Sequence, residues 1–172
     1  MGSDTMIFQN EVLAEVSLKK DDWYCDRILW RAKQHNLFNK RCRKFSDLSE
    51  DFAQVINEVI TKNINPVLVF WENRNKWTVL GTREICSFYN DSLVCSKLVE
   101  IDKQVSVFRP PGIQQEEVKT KSNFISLDKK GILIWAPAGA ELFALINILQ
   151  MFPLGNQIGD SPPINTCDER DE

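Results

Sequence analysis

The 172-residue chain has a single histidine, His35, and that scarcity removes much of enzyme chemistry at the outset. A Ser-His-Asp or Cys-His nucleophile needs an imidazole oriented by a partner. His35 instead stands between Gln34 and Asn36 at the end of a basic stretch, where an exposed helix-end residue is expected. There is no G-x-S-x-G, no G-x-x-x-x-G-K and no G-x-G-x-x-G, so the usual elbows for acyl transfer and cradles for phosphate are missing. No apolar run approaches the length of a membrane-spanning helix. The opening MGSDTMIFQNEV lacks a basic region followed by an apolar one, so no secretory signal is expected. The five cysteines, Cys25, Cys42, Cys86, Cys95 and Cys167, are odd in number, and no two are within four positions. Zinc sites usually need closer ligands. The cysteines therefore read as free, reduced thiols packed as small hydrophobes, and the location as cytoplasmic.

Acid–base chemistry fares no better. The carboxylate pairs Asp21/Asp22, Glu50/Asp51 and Glu116/Glu117 fall at helix starts or in a loop, where negative charge is expected without a catalytic role. No catalytic residue, cofactor or metal is expected, and the chain reads as a non-enzyme. What is present is an ordinary globular composition: 43% hydrophobic, 26% charged and 10% aromatic residues. This is enough to bury one real core. A net charge of −3 and a pI near 5.3 argue against a nucleic-acid partner.

Periodicity divides the chain at Pro66. Before it, Asp21 or Asp22 is expected to cap a helix from about Trp23 to His35, with Trp23, Arg27 and Trp30 along one side as a core-facing stripe. A basic connector, NKRCRK, leads to Phe45. Ser46 or Ser49 then caps a second helix over about 48–61, where Phe52, Val55, Ile56, Val59 and Ile60 recur at helical spacing. Asn63, Asn65 and Pro66 end it.

After Pro66 the pattern is strand-like. PVLVFW, KWTVLGT, EICSFY, LVCSKLVEI, VSVF, NFISLD and ILIWA make seven short strands, with turns at ENRNK, NDS and DKKG and a loop at RPPGIQQEEVKTK. PAGAELFALINILQMF is a helix so apolar that a sheet must cover it. The segments are residues 1–65, helical and packed on the main domain; 66–153, the strands with their terminal helix; and 154–172, an acidic tail read as disordered.

Seven antiparallel strands closed by one terminal helix resemble the pleckstrin-homology-like (PH-like) fold. KWTVLGTREICSFY is similar to the second and third strands of bacterial members, through Trp77, Leu80, Thr82 and Ile85. The resemblance spans Pro66 to Phe152 and leaves the N-terminal third outside. It departs where members usually carry a tryptophan in the final helix, since Trp135 lies in the preceding strand. It implies an α+β fold: N-terminal helices, then a seven-stranded antiparallel PH-like barrel or bent sheet capped by the C-terminal helix.

Two basic groups are the candidate binding residues. One is the run Arg31, Lys33, Lys40, Arg41, Arg43 and Lys44; the other is Arg74, Lys76 and Arg83 around the first strand turn and the next corner. In lipid-binding PH-like relatives that first turn holds phosphoinositide headgroups, a task suited to charge-assisted bonds from arginine and lysine. The reading that follows is a binding module for another protein, an adaptor or a toxin-neutralising immunity protein. The alternative is a peripheral membrane module binding anionic lipid headgroups. Tryptophan and arginine dominate protein–protein energetics, and the acidic tail and Gln114–Glu117 would complement a basic partner.

Overall fold

The run PVLVFW offers no polar side chain to turn towards water, and the fold covers both of its faces. A computed structural model of the chain describes residues 20–61, 64–101, 104–127 and 131–152. Strand β2 (Pro66–Asn73) lies in an antiparallel sheet ordered β1–β2–β3–β4–β5. Its other members are β1 (Cys42–Lys44), β3 (Lys76–Gly81), β4 (Glu84–Tyr89) and β5 (Ser92–Lys97). Alternation sorts the side chains. Leu68, Phe70, Leu80 and Ile85 belong to one buried cluster, and Val69, Trp77, Val79 and Cys86 to another.

The second cluster is closed by helix α2 (Glu50–Asn57), which contributes Phe52 and Ile56, and by Val59 and Ile60 just beyond it. Ser49 is the N-cap, its Oγ accepting from the Phe52 amide at 3.4 Å. The helix is shorter than its apolar pattern, because the chain turns from Glu58 to Ile60 while Val59 and Ile60 keep their contacts with the cluster on the sheet.

Three elements close the first cluster. Helix α1 (residues 20–34) supplies Tyr24, Ile28 and Ala32. A second antiparallel sheet, ordered β6–β7–β8, supplies Val105, Ile125, Leu127, Ile134 and Trp135 from β6 (Val105–Val107), β7 (Phe124–Leu127) and β8 (Ile132–Trp135). The apolar helix α4 (Ala140–Leu149) packs on this sheet through Leu142, Leu145, Ile148 and Leu149. Each such side chain removed from water stabilises the fold by about 1.5–3 kcal/mol.

The sheets are joined by hydroxyls. Thr78 and Ser87 are cross-strand partners on β3 and β4, fully buried on the face that meets β8. Thr78 Oγ1 donates to the Trp135 carbonyl at 2.5 Å, and the Trp135 amide donates to Ser87 Oγ at 3.0 Å. The hydroxyls lie 2.7 Å apart. With the Thr78 proton committed to the carbonyl, Ser87 must donate to Thr78, which closes a ring of three bonds in one direction. Tyr89 adds a bond to the Leu133 carbonyl at 2.9 Å.

All seven expected strands occur, although LVCSKLVEI stops being a strand at Lys97, where Leu98–Glu100 form a 3-10 turn that buries Leu98, and three corrections apply to their setting. An eighth strand, β1, lies within NKRCRK, because Cys42 points into the core and pairs with Phe70 while Arg43 and Lys44 stay outside. The strands form separate five- and three-stranded sheets and no closed barrel among the described residues. β1 occupies the free edge of β2, and β8 meets β3 to β5 through side chains rather than a ladder. The expected loop from Arg109 holds a 3-10 turn (Gln115–Glu117) and a short helix α3 (Val118–Lys121), started by a capping box between Gln114 and Glu117. The tail 154–172 lies outside the described residues.

Gly81 has a purely spatial role. A Cβ there would stand 1.7 Å from the Ile64 carbonyl oxygen, on backbone that cannot swing aside. Gly81→Ala is therefore expected to destabilise by about 3 kcal/mol, the upper end of overpacking costs. Thr78→Val and Ser87→Ala each leave buried groups unpaired and should cost about 1–3 kcal/mol. Their double variant should cost less than the sum, because either change already breaks the ring. Urea unfolding of the four proteins checks both statements; strict additivity would refute the closed ring.

Candidate functional site

Helix α1 lays its inner residues Tyr24, Ile28 and Ala32 on the core, and this decides what its outer side presents. The expected core stripe Trp23–Arg27–Trp30 is split. Trp23 is half-buried against the core, whereas Trp30, seven residues on, is 36% exposed. Trp30 lies between two guanidinium groups: Arg27 is 5.7 Å and Arg31 5.4 Å from its ring centroid. A spacing of three places Arg27 beside the indole on the helix, while Arg31, the next residue, reaches the ring by bending its long side chain back over it. Arg31 also donates to Gln34 at 3.3 Å. The result is an aromatic surface held in place by two charged neighbours.

The first basic group is not one patch. Strand alternation sends Arg43 to the face of Trp71, 5.6 Å from its ring, and Lys44 to the other face over Phe38, at 5.7 Å. Arg41 and Lys40 are exposed just before the strand. Since β1 is an edge of the sheet, charge at these positions also blunts edge-to-edge pairing.

The second group is dispersed as well. Arg74 lies in the turn before β3, Lys76 at the start of β3 and Arg83 just past its end, and the strand between them is itself roughly 16 Å long at about 3.3 Å per residue. Lys76 is bonded to Glu72 at 3.1 Å and stands over the Trp135 ring at 5.9 Å. Arg83 is bound through Nε and Nη2 to both carboxylate oxygens of Asp21, at 3.1 and 2.7 Å. Arg74, at the tip of the turn, is exposed, and its carbonyl accepts from the Trp77 indole at 3.1 Å.

Asp21 is correspondingly not the helix cap that its position suggests. Its carboxylate also accepts from Thr82 at 3.0 Å and from Asn65 at 3.1 Å, so three bonds fasten α1 to the corner after β3 and a fourth to the residue before β2. Burial pushes its pKa up, but the bonds from Arg83 and Thr82 and the charges of Arg83 and Lys20 outweigh that and hold it below the ordinary 3.8.

The thiols depart from the free, reduced set. The β4–β5 hairpin turns at Asn90–Asp91, both at positive φ, and places Cys86 opposite Cys95 with Cα atoms 4.2 Å apart; the two are disulfide-bonded. Cys25 and Cys42 are unbonded. Burial, with the charge of Glu141, pushes Cys42 up to about 12; burial and the charges of Asp26 and Asp22 also raise Cys25. Neither is an activated thiolate. His35 is half-buried rather than exposed, and its Nε2 has no hydrogen-bond partner among the described residues. Among the described residues one group of ligand-type side chains is brought together, Glu84 with the joined Cys86 and Cys95, their ligating atoms lying within 4.8 Å of one another. No helix among the described residues is long and apolar enough to cross a membrane.

Compared with known proteins, the chain matches no family model, and no curated protein or solved structure is significantly similar.

The Asp21 cluster generates a pH prediction. A carboxylate whose folded pKa is depressed contributes stability above its ordinary value and loses it as pH falls through the folded value. Asp21→Asn is thus expected to cost about 1 kcal/mol at pH 7, a modest figure because Arg83 is half-exposed and screened. That difference should shrink as pH falls below 3.8. Thermal unfolding of both proteins from pH 7 to pH 3 measures it; a gap independent of pH would count against the ion pair.

Proposed function

We propose that this chain is a non-enzymatic, cytoplasmic module that binds another protein, as an adaptor or an immunity protein, through the outer side of α1. The observation that carries the reading is Trp30, exposed between Arg27 and Arg31. Tryptophan and arginine are the side chains most enriched at energetic centres of interfaces. An indole already fixed by its neighbours loses little freedom on binding. The paired guanidiniums suit a partner that brings carboxylates or carbonyl oxygens to the rim of the indole.

A PH-like framework remains part of this proposal. The order of β2 to β8 followed by α4 supports it, and β1 with the N-terminal helices is the addition that carries the binding surface. The placement of the bases favours protein over lipid. A headgroup site needs several cations converging on one phosphate, whereas Lys76 and Arg83 are held by Glu72 and Asp21 at opposite ends of β3.

Affinity capture from a lysate of the native host, with wild type and Trp30→Ala side by side, tests the reading. A partner retained by wild type should be lost or bound about thirtyfold more weakly by the variant, equivalent to about 2 kcal/mol. Arg27→Ala/Arg31→Ala should reproduce the loss. A partner held equally by all three proteins would overturn the assignment to α1. Flotation that requires anionic lipid, falls with salt and depends on Arg74 would move the function to the membrane.

A further inference from the structure

The one group of metal-ligating side chains brought together among the described residues lies far from Trp30 in sequence, at the β4–β5 hairpin. Glu84 and Cys86 are two apart on β4 and so share a face, and Cys95 stands opposite Cys86 on β5. Their ligating atoms lie within 4.8 Å of one another. Glu84 and Cys95 are half-buried and Cys86 is buried, so solvent reaches the group from one side. Thr61, beyond the end of α2, donates to the Glu84 carboxylate at 3.5 Å. Lys97, the register partner of Glu84 across the ladder, is exposed.

We propose that these three residues form a redox-gated site for one zinc-like divalent cation, closed while Cys86 and Cys95 are joined and opened by reduction. A dithiol reductant supplies two electrons together with its own two thiol hydrogens; a phosphine supplies two electrons, and one water supplies the two protons and the oxygen that the phosphine takes up. The S–S bond breaks and two S–H bonds form, while the reductant becomes a disulfide or a phosphine oxide. Metal binding then releases both thiol protons and leaves two thiolates and one carboxylate as ligands. That donor set suits a borderline-soft ion with a water in its fourth position.

The distances are close to what such an ion needs. With bonds of about 2.3 Å to sulfur and 2.0–2.2 Å to oxygen, tetrahedral ligands stand about 3.5–3.8 Å apart. Sulfurs freed from a covalent bond separate to about that distance, and the carboxylate has about an ångström to travel. The backbone need not move, since cross-strand register has already aligned the three side chains. Ligand spacing along the chain conceals such a site, because its ligands come from two strands.

The test uses the full chain in a Cys25→Ser/Cys167→Ser background, so that those thiols do not compete. After phosphine reduction the protein is titrated with Co²⁺ and then Zn²⁺, followed by the sulfur-to-cobalt charge-transfer absorption. One equivalent of Co²⁺ should bind, be displaced by Zn²⁺, and fail to bind the oxidised protein. Cys95→Ser should abolish the band. Glu84→Gln, a change at a half-exposed position that leaves the sheet intact, should weaken binding by at least the about tenfold that loss of even an outer-shell partner costs. No stoichiometric binding after reduction, equal binding when oxidised, or unchanged affinity in Glu84→Gln would each overturn the three-ligand site.

Discussion

Two hydroxyls hidden between sheets set the geometry on which the rest depends. Thr78 and Ser87 are buried in an apolar interface, and an unpaired hydroxyl there would cost several times the worth of the bond it lacks. The backbone of Trp135 supplies both the acceptor and the donor they need. A ring of aligned bonds is cooperative, each polarising the next in a low dielectric, and it is directional. It therefore fixes where β8 crosses the large sheet, which hydrophobic contact alone would leave free to slide. Once β8 is placed, β7 and β6 follow by register, and α4 has one apolar surface on which to lie.

The surface of α1 follows from a second constraint of the same kind. Hydrophobic packing of Tyr24, Ile28 and Ala32 holds the helix on the core but tolerates rotation about its axis. The four bonds at Asp21 remove that freedom at one end by tying it to Asn65, Thr82 and Arg83. Trp23 and Trp30, a heptad apart, lie on the same side of the helix at the border of its buried face. Trp23 packs against the core and Trp30, further from the pinned end, is exposed.

This division explains what could and could not be read from the chain. The strands from Pro66 onwards were legible because β-branched runs separated by polar turns have no competing interpretation, and Ser49 was legible as a cap because its chemistry is local. β1 was not: three residues are too few to show a period, and only the pairing of Cys42 with Phe70 reveals it. The split into two sheets was hidden because alternation states which residues share a face, but not which faces meet. Thr78 and Ser87 looked like ordinary polar strand residues, and their role exists only across 48 and 57 positions of sequence. The Cys86–Cys95 pair was closer to reach. Counting outwards from a two-residue turn at Asn90–Asp91 pairs 86 with 95, so recognising the turn as the tight, positive-φ kind would have matched the cysteines.

The basic residues show the same limit in its most functional form. In the sequence, Arg74, Lys76 and Arg83 look like one group of charge, and proximity along a strand invites a shared ligand. A strand, however, converts a short sequence interval into a long distance, about 3.3 Å for every residue, and the neighbours at its two ends differ. Glu72 neutralises Lys76 locally and Asp21 neutralises Arg83 from another element, so two of the three cations are held by carboxylates already in place and only Arg74 stands exposed at the turn. An external anion would have to displace those carboxylates before it gained anything. Arg27 and Arg31 are different in kind, because their contact is with a ring rather than an acid. A guanidinium over an aromatic face keeps its charge without an acid to neutralise it, although Arg31 buries its Nε without a partner and donates from Nη1 to Gln34. Charge retained beside an exposed indole is what a protein partner can use, and that physical asymmetry, rather than the count of basic residues, separates the two surfaces.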